Sequence, residues 1–180
     1  MITGKLVNLR ALERTDLDSL REWLNDLTLL RLSGYPAWPL APIDYAKWYE
    51  RLAETRDLQI LAIETRDKDL IGYAMLRHID PRNRTAEVNV VIGERGYWGR
   101  GYGPDALQTL LGFAFNDLNL ATLYAYIPEF NTRARRAFEK VGFRVDGTLR
   151  RRYFSDGRYW DLIAVSLLAE EYQQRQTREE

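Results

Sequence analysis

Cysteine is missing from all 180 residues. A disulfide framework, a thiolate nucleophile and a thiolate metal site are therefore excluded, and any group transfer must proceed without an enzyme thioester. Histidine is nearly missing, with His78 the sole one. Carboxylates alone remain as metal ligands, no regularly spaced Asp/Glu loop offers them, and no metal is expected. His78 ends an apolar run beside Asp80-Pro81 and reads as a turn histidine rather than a catalytic one. An excess of either charge is also lacking, with 26 Lys plus Arg against 26 Asp plus Glu. No long-range field draws such a chain onto nucleic acid or an anionic membrane. No stretch approaches the roughly 18 apolar residues of a membrane span. The start, MITGKLVNLRALERTD, lacks the apolar centre of a signal peptide. The expectation is a soluble cytoplasmic protein with neither nucleic acid nor membrane as partner.

What is present suits one domain over residues 1–180, a length able to bury a core without staples. Lys5 to Leu12 alternates as a strand. Thr15 stands three residues before Asp18 at capping-box spacing, and Leu17, Leu20, Trp23, Leu24 and Leu27 follow at helical intervals. The stretch Ser33 to Pro39 breaks regular structure before a second helix over 43–54. LQILAIET, LIGYAMLRHI and TAEVNVVIGE then read as three strands of an antiparallel meander. Residues 104–118 carry one apolar stripe on a helix, LATLYAYI is a buried strand, and 131–140 make a short helix stopped by Gly142. Two strands around Asp156-Gly157 form a hairpin, followed by a polar tail from about 170.

Between the third meander strand and the next helix lies Trp98-Gly99-Arg100-Gly101-Tyr102-Gly103-Pro104. Alternate glycines at a helix start leave backbone amides free to meet an anion, with the helix dipole in support. A P-loop needs Gly-Lys-Ser/Thr, whereas Gly103 is followed by Pro104-Asp105. A dinucleotide fingerprint needs G-x-G-x-x-G near the start of a parallel domain, which this segment does not match.

The same segment resembles the R/Q-x-x-G-x-G/A motif of the GNAT N-acetyltransferases, departing only at its first position, Trp98. Asn131 to Phe143, NTRARRAFEKVGF, resembles the family's second block. The similarity runs along nearly the whole chain and is nearest the branch of ribosomal-protein and spermidine acetyltransferases. It implies an α+β fold, a mixed and mostly antiparallel sheet of about seven strands with about four helices. It further implies acetyl-CoA as cosubstrate. The pantetheine arm would lie where the strand holding Val90, Val91 and Ile92 splays from its neighbour. The pyrophosphate would sit on the loop of Trp98, Gly99, Arg100, Gly101, Tyr102 and Gly103. Asn131 would reach the cofactor, although it is equally a helix N-cap. Phe138 stands where many relatives carry tyrosine; lacking a hydroxyl, it would pack against the cofactor and donate no proton.

Acetyl transfer needs an unprotonated amine, and an alkyl amine has a pKa near roughly 10. Glu87 aligns with an acidic position used in related members and is the candidate base; the plain alternative is a solvated strand glutamate. The backbone amide of Val91 or Ile92 is the candidate oxyanion donor. Tyr126 and Tyr153 are substitute acids that read first as packed aromatics. Tyr35, Trp38, Tyr45, Trp48 and Tyr49 either line an acceptor pocket or fasten the second helix. The acceptor is a primary amine, either a small molecule or a protein N-terminus. No acidic run suits a polyamine, and strand alternation divides Arg150-Arg151-Arg152 between two faces. Phe138 keeps a second reading open, a catalytically silent CoA-binding module. Exposed strand edges would permit a homodimer.

Overall fold

The computed structural model describes residues 1–35, 41–52 and 54–179. Trp38 and the side chain of Tyr45 lie outside the described residues. The strands are β1 (Ile2–Thr3), β2 (Val7–Ala11), β3 (Leu58–Thr65), β4 (Leu70–Asp80), β5 (Thr85–Ile92), β6 (Thr122–Pro128), β7 (Arg144–Ser155) and β8 (Arg158–Leu168). The helices are α1 (Leu17–Asn25), α2 (Leu27–Ser33), α3 (Pro42–Leu52), α4 (Tyr102–Gly112), α5 (Thr132–Val141) and α6 (Ala169–Glu179). All the strands join one sheet in the order β1-β2-β3-β4-β5-β6-β8-β7, antiparallel except for β5 beside β6.

The α+β class is as expected, with one strand and two helices more than the pattern indicates. Strand β1 is two residues long, too short to show alternation. It pairs with β2, and the turn between them is held from a distance: the Asp105 carboxylate of α4 accepts the backbone N–H groups of Lys5, Leu6 and Val7 at 3.2, 2.7 and 3.0 Å. The first helix is divided because Asp26 is extended (φ −76°, ψ 107°) and its side chain caps α2, accepting from Thr28 and Leu29 N–H. The cap of the first turn also lies earlier than Thr15. Glu13 N–H donates to Asp16 Oδ2 at 2.8 Å ahead of a short 3-10 turn. The tail from Glu170 is helical, a polar segment anchored by Tyr172, 7 % exposed with its ring 5.2 Å from Phe115, and by Arg175, which donates to Lys140 O at 3.0 Å. The helix over 104–118 runs as α4 and ends in a π-helical turn, Phe113–Asp117.

Helices cover both faces of the sheet, and alternation along β5 sorts its side chains between them. Ala86 and Val88 are buried, with Val90 and Ile92 packed alongside, against Leu107, Leu110 and Leu111 of α4. Val91 faces the other way, into a cluster of Leu20 and Trp23 from α1, Leu29 from α2, and Tyr73. By the same parity Glu87 and Asn89 belong to the α1–α2 face. Trp23 stacks on Tyr73 at 6.5 Å and lies where a side chain on Gly93 would stand, which fixes α1 over the end of β5.

Candidate active site

β5 and β6 pair only where they begin, Thr85 to Glu87 against Thr122 to Tyr124, although β5 continues to Ile92 and β6 to Pro128. Beyond Glu87 the two strands part. The polar groups left facing this gap follow from the register on the other side. Gly93 N–H donates to Ile71 O at 2.8 Å, which makes Gly72–Ile92 a non-hydrogen-bonded pair of the antiparallel ladder. Alternation then makes Tyr73–Val91 a bonded pair, with the Val91 backbone turned to β4. Val90 and Ile92 turn theirs to the gap. The Ile92 carbonyl already accepts from Trp98 Nε1 at 2.7 Å. The N–H and C=O of Val90 and the N–H of Ile92 therefore remain for a ligand. Of the two amides considered for the oxyanion, only that of Ile92 points into the gap.

The gap opens into a cleft of about 380 Å³. Glu87, Val90, Val91, Ile92, Trp98, Gly99, Gly101, Gly103, Asn131 and Phe138 line it, whereas Arg100 and Tyr102 do not. Arg100 is exposed at the loop's outer side, and Tyr102 meets Tyr97 edge to face at 5.1 Å. Gly99 and Gly101 hold left-handed backbone, at φ 74° and 90°, and Gly101 begins α4. Gly103 has ordinary helical backbone, and a Cβ there would come no nearer than 3.8 Å to Ile92. The two glycines should consequently respond in opposite ways to alanine. Gly101→Ala is expected to cost about 1–2 kcal/mol and to abolish most of the rise in melting temperature caused by acetyl-CoA. Gly103→Ala should gain up to about 0.5–1 kcal/mol and keep that rise. Thermal melts with and without acetyl-CoA check both.

Asn131 caps α5, its Oδ1 accepting from Ala134 N–H at 3.1 Å, and its Nδ2 donates to Leu32 O at 2.8 Å. Both ends of its amide are thus engaged within the protein, joining α2 to α5 beside the cleft. Phe138 is buried, edge to face with Phe143 at 4.9 Å. Tyr126 borders the cleft and is 40 % exposed, whereas the Tyr153 hydroxyl is turned to the Arg31 and Tyr35 carbonyls at 3.3 and 3.4 Å. Arg133, which sequence reasoning passed over, reaches across from α5 and lies 4.0 Å from the centre of the Trp98 ring. Burial lowers its guanidinium from the usual value.

Glu87 is not a solvated strand residue, being 5 % exposed overall. Its carboxylate is held by Arg77 through a short ion pair and lies 3.2 Å from Nδ1 of His78. Arg77 in turn lies over the Tyr35 ring at 4.3 Å. Burial raises the hydroxyls of Tyr35 and Tyr124, which keeps both protonated, so neither can accept an amine's proton. The Arg77 partnership was within reach of the sequence: a short turn between β4 and β5 sets Arg77 opposite Glu87. The His78 contact was not, because the register slips between Arg77 and Asp80 and turns His78 to φ 51°.

Residues 7–144 match the acetyltransferase (GNAT) domain. The chain belongs to this family. The spermidine N(1)-acetyltransferase of Vibrio cholerae serotype O1 is 28 % identical, over 94 % of this chain and 96 % of that protein. The putative ribosomal N-acetyltransferase YdaF of Bacillus subtilis is 30 % identical over 59 % and 58 % respectively. Among solved structures, spermidine N-acetyltransferase from Vibrio cholerae in complex with CoA and spermine superposes with a TM-score of 0.88. That pair shares 26 % identity and covers 93 % of this chain and 98 % of the other. This GNAT chain is an N-acetyltransferase with acetyl-CoA as cosubstrate and an amine as acceptor. The splayed strands, two left-handed glycines and free amides of the cleft suit the amide-rich arm and pyrophosphate of that cosubstrate.

Proposed function

We propose that this N-acetyltransferase acts by direct attack of a primary amine whose neighbouring groups are neutral or anionic, either a small monoamine or a protein N-terminus. The observation that supports this acceptor class is the ionic lining of the cleft. Among the described residues Glu87 is its acid, already matched by Arg77, while Arg133, Arg136 and Lys140 are cations. A polyamine would bring further ammonium groups with no carboxylate left among the described lining residues to meet them.

In this reading Glu87 takes the proton from the acceptor ammonium. The amine lone pair attacks the thioester carbonyl, the C–N bond forms, the C–S bond breaks with its electron pair leaving on sulfur, and the nitrogen gives its second proton to that sulfur or to water. The inward Ile92 N–H supports the developing oxyanion. A thiol pKa near about 8.5 lets the thiolate depart without a tyrosine, so Phe138 is compatible with turnover. With no cysteine in the chain, the transfer needs no acyl-enzyme.

Similarity to spermidine acetyltransferases favours a polyamine as the second reading. Thiol release from acetyl-CoA should be followed with butylamine, spermidine, a short peptide with a free N-terminus and its N-blocked counterpart. A kcat/KM for butylamine or the free peptide at least 10-fold above spermidine is expected from the charge balance. Preference for spermidine by that margin would overturn the acceptor class, and no thiol release with any amine would favour the silent module.

A further inference from the structure

The proton that Glu87 removes has to leave a buried carboxylate. We propose that His78 is the exit, a relay residue that passes the acceptor's proton from Glu87 to water. The inference rests on the reading of Glu87 as base. Glu87 faces the cleft with a side chain only 7 % exposed, while the His78 side chain is 61 % exposed and touches the same carboxyl group. Of the groups around Glu87, Arg77 is a guanidinium and does not exchange its charge near neutrality. Tyr35 and Tyr124 are held protonated by burial. The Asp80 carboxylate, two residues past His78, is turned to the N–H groups of Arg82 and Asn83 at 2.8 Å. Among the described residues His78 is left as the group other than Arg77 that both contacts Glu87 and meets solvent.

A second observation agrees. His78 holds left-handed backbone, φ 51°, where the β4–β5 register slips. Left-handed backbone is uncommon outside glycine, histidine being among the residues that adopt it, and it recurs at other turns of this chain, Lys68, Arg84 and Asp156 included. Here the slip brings the ring onto the carboxylate. Protonated Glu87 would also leave the partly buried Arg77 without its counter-charge, making the carboxyl a poor resting place for the proton. The ammonium N–H bond breaks to a Glu87 oxygen, and the proton then moves from Oε2 to Nδ1 of a ring carrying hydrogen on Nε2. The imidazolium so formed loses the Nε2 proton to water.

The test uses H78N, since asparagine tolerates left-handed backbone, and H78G, which removes the strain and leaves room for a free ring. With the preferred acceptor of the amine panel, H78N is expected to lower kcat about 10-fold with the KM for acetyl-CoA unchanged. Added imidazole should restore H78G. Unaltered kcat in both variants overturns the relay, and so does a loss in H78G that imidazole leaves uncorrected. E87Q measured alongside separates the two ideas: E87Q disabled with H78N intact defeats the relay alone, and both intact defeats the role of Glu87. Because His78 is the only histidine, its ring resonance gives a readout apart from turnover. That resonance should move in E87Q, and an unmoved signal counts against the contact.

Discussion

The Glu87→Gln variant is expected to lose about 10²–10³ in kcat for acetyl transfer while retaining the thermal stabilisation by acetyl-CoA. Glutamine keeps the shape and a carbonyl oxygen for Arg77, but it cannot take up a proton. The change also removes a buried counter-charge. Arg77 is 29 % exposed at its side chain, so water relieves part of that loss, and a cost of about 1–2 kcal/mol follows. In a chain of this length that lowers the melting temperature by only a few degrees, too little to imitate a catalytic defect at 25 °C. Thiol release at saturating acceptor, with melts in parallel, reads both quantities. Activity within about threefold of wild type would remove Glu87 from the chemistry.

The largest effect on stability should come from a methyl group at Gly72. Its Cβ would stand 2.0 Å from Val91 O and 3.0 Å from Ile92 Cα, both backbone atoms of the strand that borders the cleft. No rotamer relieves such an overlap; β4 and β5 must separate. Gly72→Ala should therefore cost about 3 kcal/mol or more, at the upper end of overpacking penalties. The melting temperature would fall by about 6–12 °C. Binding of acetyl-CoA should weaken with it, since the displaced segment carries the Val90 and Ile92 amides. Gly96→Ala is the control, because nothing lies within 4 Å of a Cβ there. Equal melts for the two variants would show that the strands yield more readily than their packing indicates.

The strands β2 to β8 and helices α3 to α5 were legible because each carries its own apolar period between turn residues, and Gly142 ends α5 in left-handed backbone at φ 110° as its position suggests. The elements that escaped are those whose cause lies elsewhere in the chain. The turn from β1 into β2 is held by Asp105, 99 residues from Leu6, and α6 is anchored by Tyr172 reaching Phe115 and Arg175 reaching Lys140. The cleft divides in the same way. The glycine loop and the second block can be read locally, and of the candidate cofactor residues named from the sequence all but Arg100 and Tyr102 line the cleft. What periodicity cannot supply is backbone direction: which of Val90, Val91 and Ile92 turns its amide inward depends on the bond from Gly93 to Ile71. Nor can it foresee the slip after Arg77, which converts a turn histidine into a neighbour of Glu87.

The parting of β5 from β6 has a consequence for cooperativity. Three residue pairs carry the ladder between one half of the sheet, β1 to β5, and the other, β6 to β8. Few main-chain bonds cross this line, and although the core beneath it is continuous, the seam is where local opening short of global unfolding is expected to start. Amide hydrogen exchange would then show lowered protection along this line. A ligand bonded to both banks acts as the missing rungs, so the cosubstrate, besides reacting, would hold the two halves of the sheet together.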